Sequence, residues 1–278
     1  MPNFKLNVAV AQIDCALGET EPNLNKMRHF TRLAAGLGAA IVIFPECAVT
    51  GYFIGDRLGT LAEAPDGPSS KMLADIARES RVHLAAGMFT TQGSSICNSQ
   101  LLFSPEGKQL AVYNKAHLFS KEREFVKAGD KPIVVDTALG KVGLTICYDL
   151  IFPDYVRKLV DMGADFLINS TNWINDPWQR DVWGWNGSRV QGLVSTRALE
   201  NVTVLAMANR VGHEVAAPGM AFDSFGHSTV AGHSGKIAAS IPEGEGIAIA
   251  RIDEPEADLE RWRSIATYRG DRRPDLYR

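Results

Sequence analysis

Short apolar runs alternate along this chain with segments of helical periodicity, and this alternation restricts the fold more than any other feature. Residues 39–44 form a continuous apolar run, as expected for a strand that is buried on both faces. Upstream of that run, Leu24, Met27, Phe30 and Leu33 recur at the spacing of one helical face. Repeated strand–helix–strand units of this kind predict an α/β fold in which helices cover the faces of a sheet.

The same pattern continues through most of the chain, with more strands than helices. Strands are predicted at residues 5–13, 39–44, 82–89, 100–103, 109–113, 133–136, 141–147, 166–169, 202–208, 221–223, 229–231 and 247–252. Helices are predicted after Ser69 or Ser70, after Pro153, at residues 190–199 and from near Pro255. These strands are more than one flat sheet holds comfortably, so we expect two packed sheets. No internal repeat or linker divides the sequence, which predicts a single domain over residues 1–278.

The overall composition argues against several classes of function. The 278 residues carry a net charge of −3, a balance that does not favour binding to nucleic acid or to a membrane surface. No apolar run approaches the roughly 20 residues that are needed to span a bilayer. Residues 1–5 lead directly into a strand pattern and lack the layout of a signal peptide, so we expect a cytoplasmic location.

The cysteines and histidines are not arranged for a metal site or a disulfide framework. The four cysteines, Cys15, Cys47, Cys97 and Cys147, form no CxxC pair. Each is therefore considered alone, and a buried small apolar side chain is the ordinary role of a cysteine. The six histidines are scattered, and no metal, flavin or nucleotide motif is present, so we expect no cofactor.

Three polar side chains follow predicted strands directly. Glu46 comes after the apolar run 39–44 and Pro45, Cys147 ends the strand predicted at 141–147, and Asn172 follows the strand predicted at 166–169. In α/β sheets, ligands bind outside the carboxyl ends of the strands. A carboxylate, a thiol and an amide at such ends are therefore candidates for one shared crevice.

Cys147 stands where a strand passes through a short turn into a helix near Pro153. Such an elbow exposes the side chain and leaves nearby backbone N–H groups free. These N–H groups and the helix dipole are expected to favour a thiolate and an oxyanion. The alternative to a nucleophile at Cys147 is a buried cysteine at a strand end. Taken alone, Glu46 is also consistent with a helix cap. Taken alone, Lys115 is also consistent with a solvated surface lysine.

Three motifs occur together and in order. They are Pro-Glu-x-x-x-Thr-Gly-Tyr at 45–52, Tyr-Asn-Lys-x-His-Leu-Phe at 113–119 and Cys-Tyr-Asp-x-x-Phe-Pro at 147–153. In this set the chain resembles the nitrilase superfamily of carbon–nitrogen hydrolases. The resemblance extends from residues 8–12, which look like the first strand of that family, to residues 272–277, which look like its tail.

The resemblance implies a four-layer α-β-β-α sandwich and a Cys-Glu-Lys triad. Glu46 would be the general base, Cys147 the nucleophile that forms a thioester, and Lys115 the cation that stabilises the oxyanion. The family often has a second glutamate after the lysine, which matches Glu122, with Glu124 as the other register. The resemblance further implies a homodimer or a larger even-numbered homo-oligomer, and a small-molecule amide as substrate.

Four of the five tryptophans fall between residues 173 and 185, directly after a strand end. Packing in the core or at a subunit interface explains such a window as well as a pocket wall does. These tryptophans lie beside the expected nucleophile, so the second interpretation is that they form the wall of a substrate pocket. The predicted substrate-binding residues are Tyr148, Asn172 and Trp173.

Two related activities remain as alternatives. Nitrilases usually follow the cysteine with Trp-Glu, whereas Tyr148 and Asp149 here are similar to the amidase and carbamoylase branches. A carbamoylase would need an anchor for a substrate carboxylate, and Arg180 is the nearest candidate. Asp176 and Asp181 flank Arg180 and would partly neutralise it. We therefore expect an amidase that acts on a small aliphatic or arylaliphatic amide.

Other classes of function have less support. A serine hydrolase of the GxSxG type is not indicated, because Gly232-His233-Ser234-Gly235 has the wrong spacing and residues 69–71 lack a glycine-rich serine loop. A non-enzymatic binding subunit needs no glutamate, lysine and cysteine in this order. The three motifs therefore favour an enzyme.

Overall fold

The computed structural model describes residues 3–217 and 220–276 of the chain. Residues 1–2 lie outside these ranges, and so does Tyr277 of the tail predicted at residues 272–277. The strands are β1 Asn3–Gln12, β2 Ile41–Ile43, β3 His83–Gln92, β4 Ser95–Phe103, β5 Gln109–Asn114, β6 Val134–Thr137, β7 Gly140–Ile146, β8 Phe166–Thr171, β9 Ile174–Asn175, β10 Val204–Asn209, β11 Val211–Ala217, β12 Met220–Phe225, β13 Ser228–Ala231, β14 Ile237–Ile241 and β15 Gly246–Pro255. The α-helices are α1 Thr20–Gly36, α2 Leu58–Leu61, α3 Pro68–Ser80, α4 Pro153–Asp161, α5 Pro177–Asp181, α6 Gly187–Asn201 and α7 Glu256–Ile265. Short 3₁₀ turns lie at Gly55–Arg57, Ser120–Glu124, Cys147–Ile151 and Pro274–Leu276.

Two six-stranded sheets form the centre of the molecule. Their strand orders are β15-β1-β2-β3-β4-β5 and β14-β13-β10-β8-β7-β6, and a small third sheet has the order β11-β12-β9. The central strands β1-β2-β3 and β7-β8-β10 pair in parallel. Parallel neighbours need crossover connections, and α1, α3, α4 and α6 lie in the connections between them.

Side chains of β1 divide between two apolar clusters and thereby define the layers. Val8 and Val10 belong to a cluster that includes side chains of the second sheet, whereas Ala9 and Ala11 pack in a cluster with α1 and α3. Side chains of β7, β8 and β10 share the first cluster with α4 and α6. The order of layers is therefore helices, sheet, sheet, helices, which confirms the predicted α-β-β-α sandwich.

The fourth strand is longer than the sequence predicted. Residues 100–103 were expected as a strand, but β4 starts at Ser95 and includes the buried polar residues Asn98, Ser99 and Gln100. Their side chains form hydrogen bonds inside the protein, such as Gln100 Nε2 to Ser170 Oγ at 2.7 Å. A search for apolar periodicity overlooks such residues, because buried polar groups are tolerated only when partners elsewhere in the chain satisfy them.

The helix predicted at 190–199 also extends further at both ends. It begins at Gly187, because the side chain of Asn186 accepts a hydrogen bond from the Arg189 N–H and caps it. It ends at Asn201, because the next residue, Val202, has a left-handed backbone with φ of 47°. The strand predicted to start at 202 therefore starts at Val204. Among the described residues, no helix combines the length and the apolar character needed to cross a bilayer.

The two central sheets bring separate strand ends to one place. Glu46 follows β2, Cys147 follows β7, and Asn172 follows β8. The backbone N–H of Glu46 faces the carbonyl oxygen of Thr171 at 3.4 Å, so the end of β2 meets the end of β8 across the sheets. These strand ends therefore converge, as the sequence predicted.

Gly87 on β3 provides a test of this close approach. A Cβ atom at this position would lie 2.4 Å from the backbone nitrogen of Cys47 and 2.8 Å from Cα of Glu46. We expect Gly87→Ala to lower the free energy of unfolding by about 1–3 kcal/mol, as overpacking typically does, when it is measured by urea denaturation.

A matched control for this substitution lies on α6. A Cβ atom on Gly192 would meet no atom within 4 Å. Gly192→Ala should therefore raise the free energy of unfolding by about 0.5–1 kcal/mol, because alanine favours the helix. If Gly87→Ala were as stable as the native protein, the contact between β3 and the Glu46 segment would be refuted.

Candidate active site

A buried lysine between two carboxylates forms the centre of the site. Lys115 Nζ lies 2.7 Å from Oε1 of Glu46 and 2.8 Å from Oε2 of Glu122. Asn98 Nδ2 donates to the same Oε1 of Glu46 and to Oε1 of Glu122, each at 2.7 Å. Because an ammonium group already lies between the carboxylates, they are not arranged for a metal ion. Within residues 3–217 and 220–276, no three His, Cys, Asp or Glu side chains group as a metal site.

The backbone around Lys115 holds the ammonium group in place. Lys115 directly follows the edge strand β5, where its N–H donates to the carbonyl of Asn98 and its own carbonyl accepts the N–H of Gly129, both at 2.8 Å. Glu122 lies in the 3₁₀ turn Ser120–Glu124, and its carboxylate also accepts the Phe119 N–H at 2.9 Å. The sequence left open whether Glu122 or Glu124 lies beside the lysine. In the structure Glu122 contacts Lys115.

Cys147 occupies a strained turn beside this group. Its φ of 44° is in the left-handed region, which for a non-glycine residue costs of order 1–3 kcal/mol. Its Sγ lies 4.0 Å from the carbonyl oxygen of Asn172, and the N–H of Asn172 donates to Oε2 of Glu46 at 3.0 Å. One peptide segment thus contacts both the thiol and the carboxylate. The expected turn after β7 is present, but it does not expose the side chain, because Cys147 is only 6% exposed.

Burial favours the neutral form of the Cys147 thiol. Burial, and after it the charge of Glu46, raises the pKa of Cys147 well above its ordinary value, and Lys115 offsets only part of this. The α-helix α4 begins only at Pro153, after the 3₁₀ turn Cys147–Ile151. The expectation that backbone N–H groups and a helix dipole favour a thiolate stays a prediction.

The pKa values of Glu46 and Lys115 are both raised, but by different causes. Burial raises the pKa of Glu46, and Lys115 counteracts this shift only in part. Burial alone would lower the pKa of Lys115, but Glu46, and after it Tyr52 and Cys147, hold that pKa well above its ordinary value. The lysine therefore remains an ammonium, while the carboxylate has a higher affinity for a proton than an exposed glutamate.

A cavity of about 920 Å³ adjoins the lysine and Glu122. Charged residues in its lining are Asp56, Lys121, Glu122 and Glu124. The ring of Tyr52 links it to the buried group, because its centroid lies 5.8 Å from Lys115 Nζ. The aromatic side chains of the lining are Tyr52, Phe53, Phe89, Phe119, Phe125 and Phe222.

The tryptophan window does not supply the wall of this cavity. Trp173 is buried with its ring 5.4 Å from that of Trp185, whereas Trp178 and Trp183 stack on each other with most of their surface exposed. None of these four rings lines the cavity, although Ile174 and Gln179 of the same segment do. The interpretation of the four rings as the pocket wall is therefore wrong for this cavity.

The three residues predicted to bind substrate lie next to the cavity rather than in its lining. Tyr148 packs edge-on against Phe119, with ring centroids 5.3 Å apart. The side chain of Asn172 is held by Ser224 at 2.6 Å and by Glu214 at 2.9 Å. A role for Tyr148, Asn172 and Trp173 in binding substrate stays a prediction.

Sequence reasoning missed two residues that shape the site. Asn98 bridges both carboxylates, and its one signal in the sequence was a run of polar residues directly before an apolar strand. Glu214 is fully buried, forms an ion pair with Arg210 at 3.0 Å and holds Asn172 from the other side. No motif marked Glu214: Arg210 lies close to it in the chain, but Asn172, which ties it to the site, comes from a distant segment.

Comparison with known proteins identifies the family. The family model for carbon-nitrogen hydrolases matches residues 7–263. The chain is 32% identical over 282 residues to a probable nitrilase of Schizosaccharomyces pombe (99% of this chain, 98% of that protein) and 30% identical over 278 residues to the 2-oxoglutaramate amidase of Bacillus subtilis (99% and 100%). A double mutant of the amidase from Nesterenkonia sp. AN1, solved in complex with acrylamide, superimposes with a TM-score of 0.81 at 24% identity, covering 98% of this chain and 96% of that one. The chain therefore belongs to the carbon–nitrogen hydrolase family, which confirms the resemblance carried by its three motifs.

The buried ion pairs of Lys115 predict a pH-dependent stability. Lys115→Met leaves two carboxylates buried without a cation, and we expect the free energy of unfolding at pH 8 to fall by about 3–5 kcal/mol. Burial already raises the pKa of Glu46 and Lys115 lowers it, so in the folded variant this pKa lies further above its value in the unfolded chain. The loss of stability in Lys115→Met is consequently absent at a pH below both the unfolded-state and the folded-state pKa. It grows as the pH rises from the unfolded-state value through the folded-state value. Urea denaturation at pH 5 and pH 8 measures the difference.

A second substitution separates charge from packing. In Lys115→Met/Glu122→Gln one of the two carboxylates is neutral, so the double variant should recover part of the stability at pH 8. An equal loss of stability at both pH values, with no recovery in the double variant, would mean that the two carboxylates do not depend on the ammonium.

Proposed function

We propose that this protein is an amidase that converts a small amide to a carboxylic acid and ammonia through a thioester on Cys147. The observation that carries the proposal is the ammonium of Lys115, wedged between two buried carboxylates next to a buried thiol. Hydrolysis of an amide needs a nucleophile, a base and a cation for the oxyanion, and this group supplies all three.

The first half of the reaction forms the thioester. Because burial favours the neutral thiol, Glu46 takes its proton as the sulfur attacks the carbonyl carbon. The new S–C bond moves the carbonyl electrons onto oxygen. Two of the three N–H groups of Lys115 point to Glu46 and Glu122, so the third is available for this oxyanion.

The second half of the reaction releases both products. When the C–N bond breaks, Glu46 returns its proton to the leaving nitrogen, and ammonia departs. Water then attacks the thioester, with Glu46 again taking the proton, and the C–S bond breaks to release the acid and restore the thiol. The raised pKa of Glu46 suits a group that alternates between acid and base near neutral pH.

The aromatic cavity supports a small aliphatic or arylaliphatic amide as substrate. Its rings offer apolar surface to a hydrocarbon tail, whereas three carboxylates and one ammonium line it. Arg180, the candidate anchor of a carbamoylase, is already paired with Asp181 at 2.8 Å and with Asp223 at 3.5 Å. A tail that is neutral or positively charged fits this environment better than a carboxylate.

The names of relatives leave two other activities open to test. One relative is called a 2-oxoglutaramate amidase, which implies an amide that carries a carboxylate, and another is called a probable nitrilase. The charges of the cavity argue against the first substrate for this chain. The pair Tyr148 and Asp149, in place of Trp-Glu after the cysteine, argues against the second.

Single substitutions test the assigned roles. Glu46→Gln, Glu122→Gln and Lys115→Met should impair turnover, with kcat for Glu46→Gln and Lys115→Met at least ~100-fold lower, as expected for loss of a base or an oxyanion donor. Kinetics should be measured at a temperature where circular dichroism confirms that each variant is folded.

The identity of the nucleophile is tested in the same series. Cys147→Ala should be inactive and Cys97→Ala active, because Cys97 lies near Gln92 and away from the carboxylates. Mass spectrometry after incubation with a slow amide should place the acyl group on Cys147. An adduct on another cysteine, or near-normal rates in the Glu46 and Lys115 variants, would refute the mechanism.

A matched substrate panel tests the proposed specificity. It contains pentanamide, 5-aminopentanamide, the monoamide of glutaric acid, phenylacetamide and the nitriles of the two neutral amides. We expect each neutral amide to exceed its nitrile in kcat/KM, and the glutaric monoamide to be at least about tenfold poorer than pentanamide, because like charges repel. Ammonia release measures every case. Preference for nitriles, or for the carboxylate amide, would reassign the substrate class.

A further inference from the structure

A buried carboxylate outside the triad makes four contacts with two loops of the site. Asp149 is fully buried and stands two residues after Cys147. Its Oδ2 accepts the hydroxyl of Tyr113 at 2.6 Å and the N–H of Ile146 at 2.9 Å. Its Oδ1 accepts the N–H of His117 at 3.0 Å and faces Nδ1 of the same residue at 2.8 Å. We call Asp149 with these partners the Asp149 clamp.

The Asp149 clamp joins the lysine to the nucleophile. Ile146 directly precedes Cys147, and Tyr113 and His117 stand two residues on either side of Lys115. The Tyr113 hydroxyl also accepts the N–H of Ala116 at 3.1 Å, which fastens the same loop a second time. Lys115 follows an edge strand of one sheet and the cysteine follows a strand of the other, so the clamp spans the two sheets.

We propose that Asp149 is a positioning residue that sets the distance between the Lys115 ammonium and the sulfur of Cys147. This inference rests on the proposed function of the two groups. Three of the four contacts to Asp149 come from N–H or O–H donors, and its two oxygens accept all three. Misplacement of a catalytic group by about 1 Å costs on the order of 100-fold in rate, so such a clamp has a direct effect on catalysis.

Asp149→Asn tests the clamp with little change in volume. The asparagine amide keeps one oxygen, but its NH₂ group must face donors on the other side. Hydrogen bonds are therefore lost either to His117, near Lys115, or to Ile146, next to Cys147. We expect kcat to fall about 100-fold, whereas KM changes by less than about threefold. KM should change less than kcat because four of the six aromatic rings of the cavity belong to segments that Asp149 does not contact. These rings are Tyr52, Phe53, Phe89 and Phe222, whereas Phe119 and Phe125 follow the segment that carries His117.

A second measurement reports the position of the cation directly. Lys115 lowers the pKa of Cys147 against the larger effect of burial, so moving the ammonium away should raise that pKa further. The rate of Cys147 alkylation by iodoacetamide, followed by mass spectrometry across pH, should therefore have a higher midpoint in Asp149→Asn than in the native protein. A role in folding alone would leave this midpoint unchanged.

Tyr155→Phe is the matched control. The Tyr155 hydroxyl donates to that of Tyr113 at 2.8 Å and has no hydrogen bond to Asp149. Its removal should leave kcat within about threefold and the alkylation midpoint unchanged, since the clamp retains all its contacts. If Asp149→Asn does not fold, Tyr113→Phe removes one of the four contacts and should shift the midpoint in the same direction by less.

The outcomes separate this inference from the proposed function. An unshifted midpoint in folded Asp149→Asn, whatever the change in kcat, overturns the positioning role. The same is true of Tyr113→Phe if it is the variant that folds. A shifted midpoint in a protein that hydrolyses no compound of the substrate panel supports the positioning role and refutes the amidase. A shifted midpoint with the expected loss of kcat supports both.

Discussion

The burial of one ammonium between two carboxylates is the interaction on which the rest of the site depends. Taking Lys115, Glu46 and Glu122 out of water is unfavourable for each of them, and only their short mutual contacts make the burial tolerable. Asn98 contacts both carboxylates and satisfies part of their remaining hydrogen-bonding capacity. The arrangement leaves one N–H of the lysine and one proton-accepting carboxylate beside a thiol, which is a charge distribution suited to acyl transfer.

The double-sheet architecture explains how residues so far apart in the chain can meet. The parallel centre of each sheet places strand ends at one edge, and the two sheets face each other across a continuous apolar core. The backbone contact between Glu46 and Thr171, together with the Asp149 clamp, then connects the sheets at the level of the site. The geometry of the site thus depends on the packing of the sheets and not on any single loop.

Several parts of the site were predictable because they follow from local pattern. Glu46, Cys147 and Asn172 each end an apolar strand, and the topology of α/β sheets makes such ends converge. Lys115 was predictable only through the resemblance to a family, since an isolated lysine after a strand is ordinarily solvated. The burial that raises the pKa of Cys147 was not predictable, because the depth of burial is not visible in sequence.

By itself, the sequence determined the alternation of strands and helices, the two-sheet sandwich and the motifs that place the chain in the carbon–nitrogen hydrolase family. The alternation and the need for two sheets follow from side-chain periodicity, whereas the sandwich and the family follow from the resemblance that the motifs carry. Only the tertiary structure decided that Glu122 contacts the lysine, that Asn98 and Asp149 support the site, and that aromatic side chains other than the tryptophans line the cavity. Those facts depend on long-range hydrogen bonds and on desolvation, which arise when distant segments pack together and which no local pattern in the chain encodes.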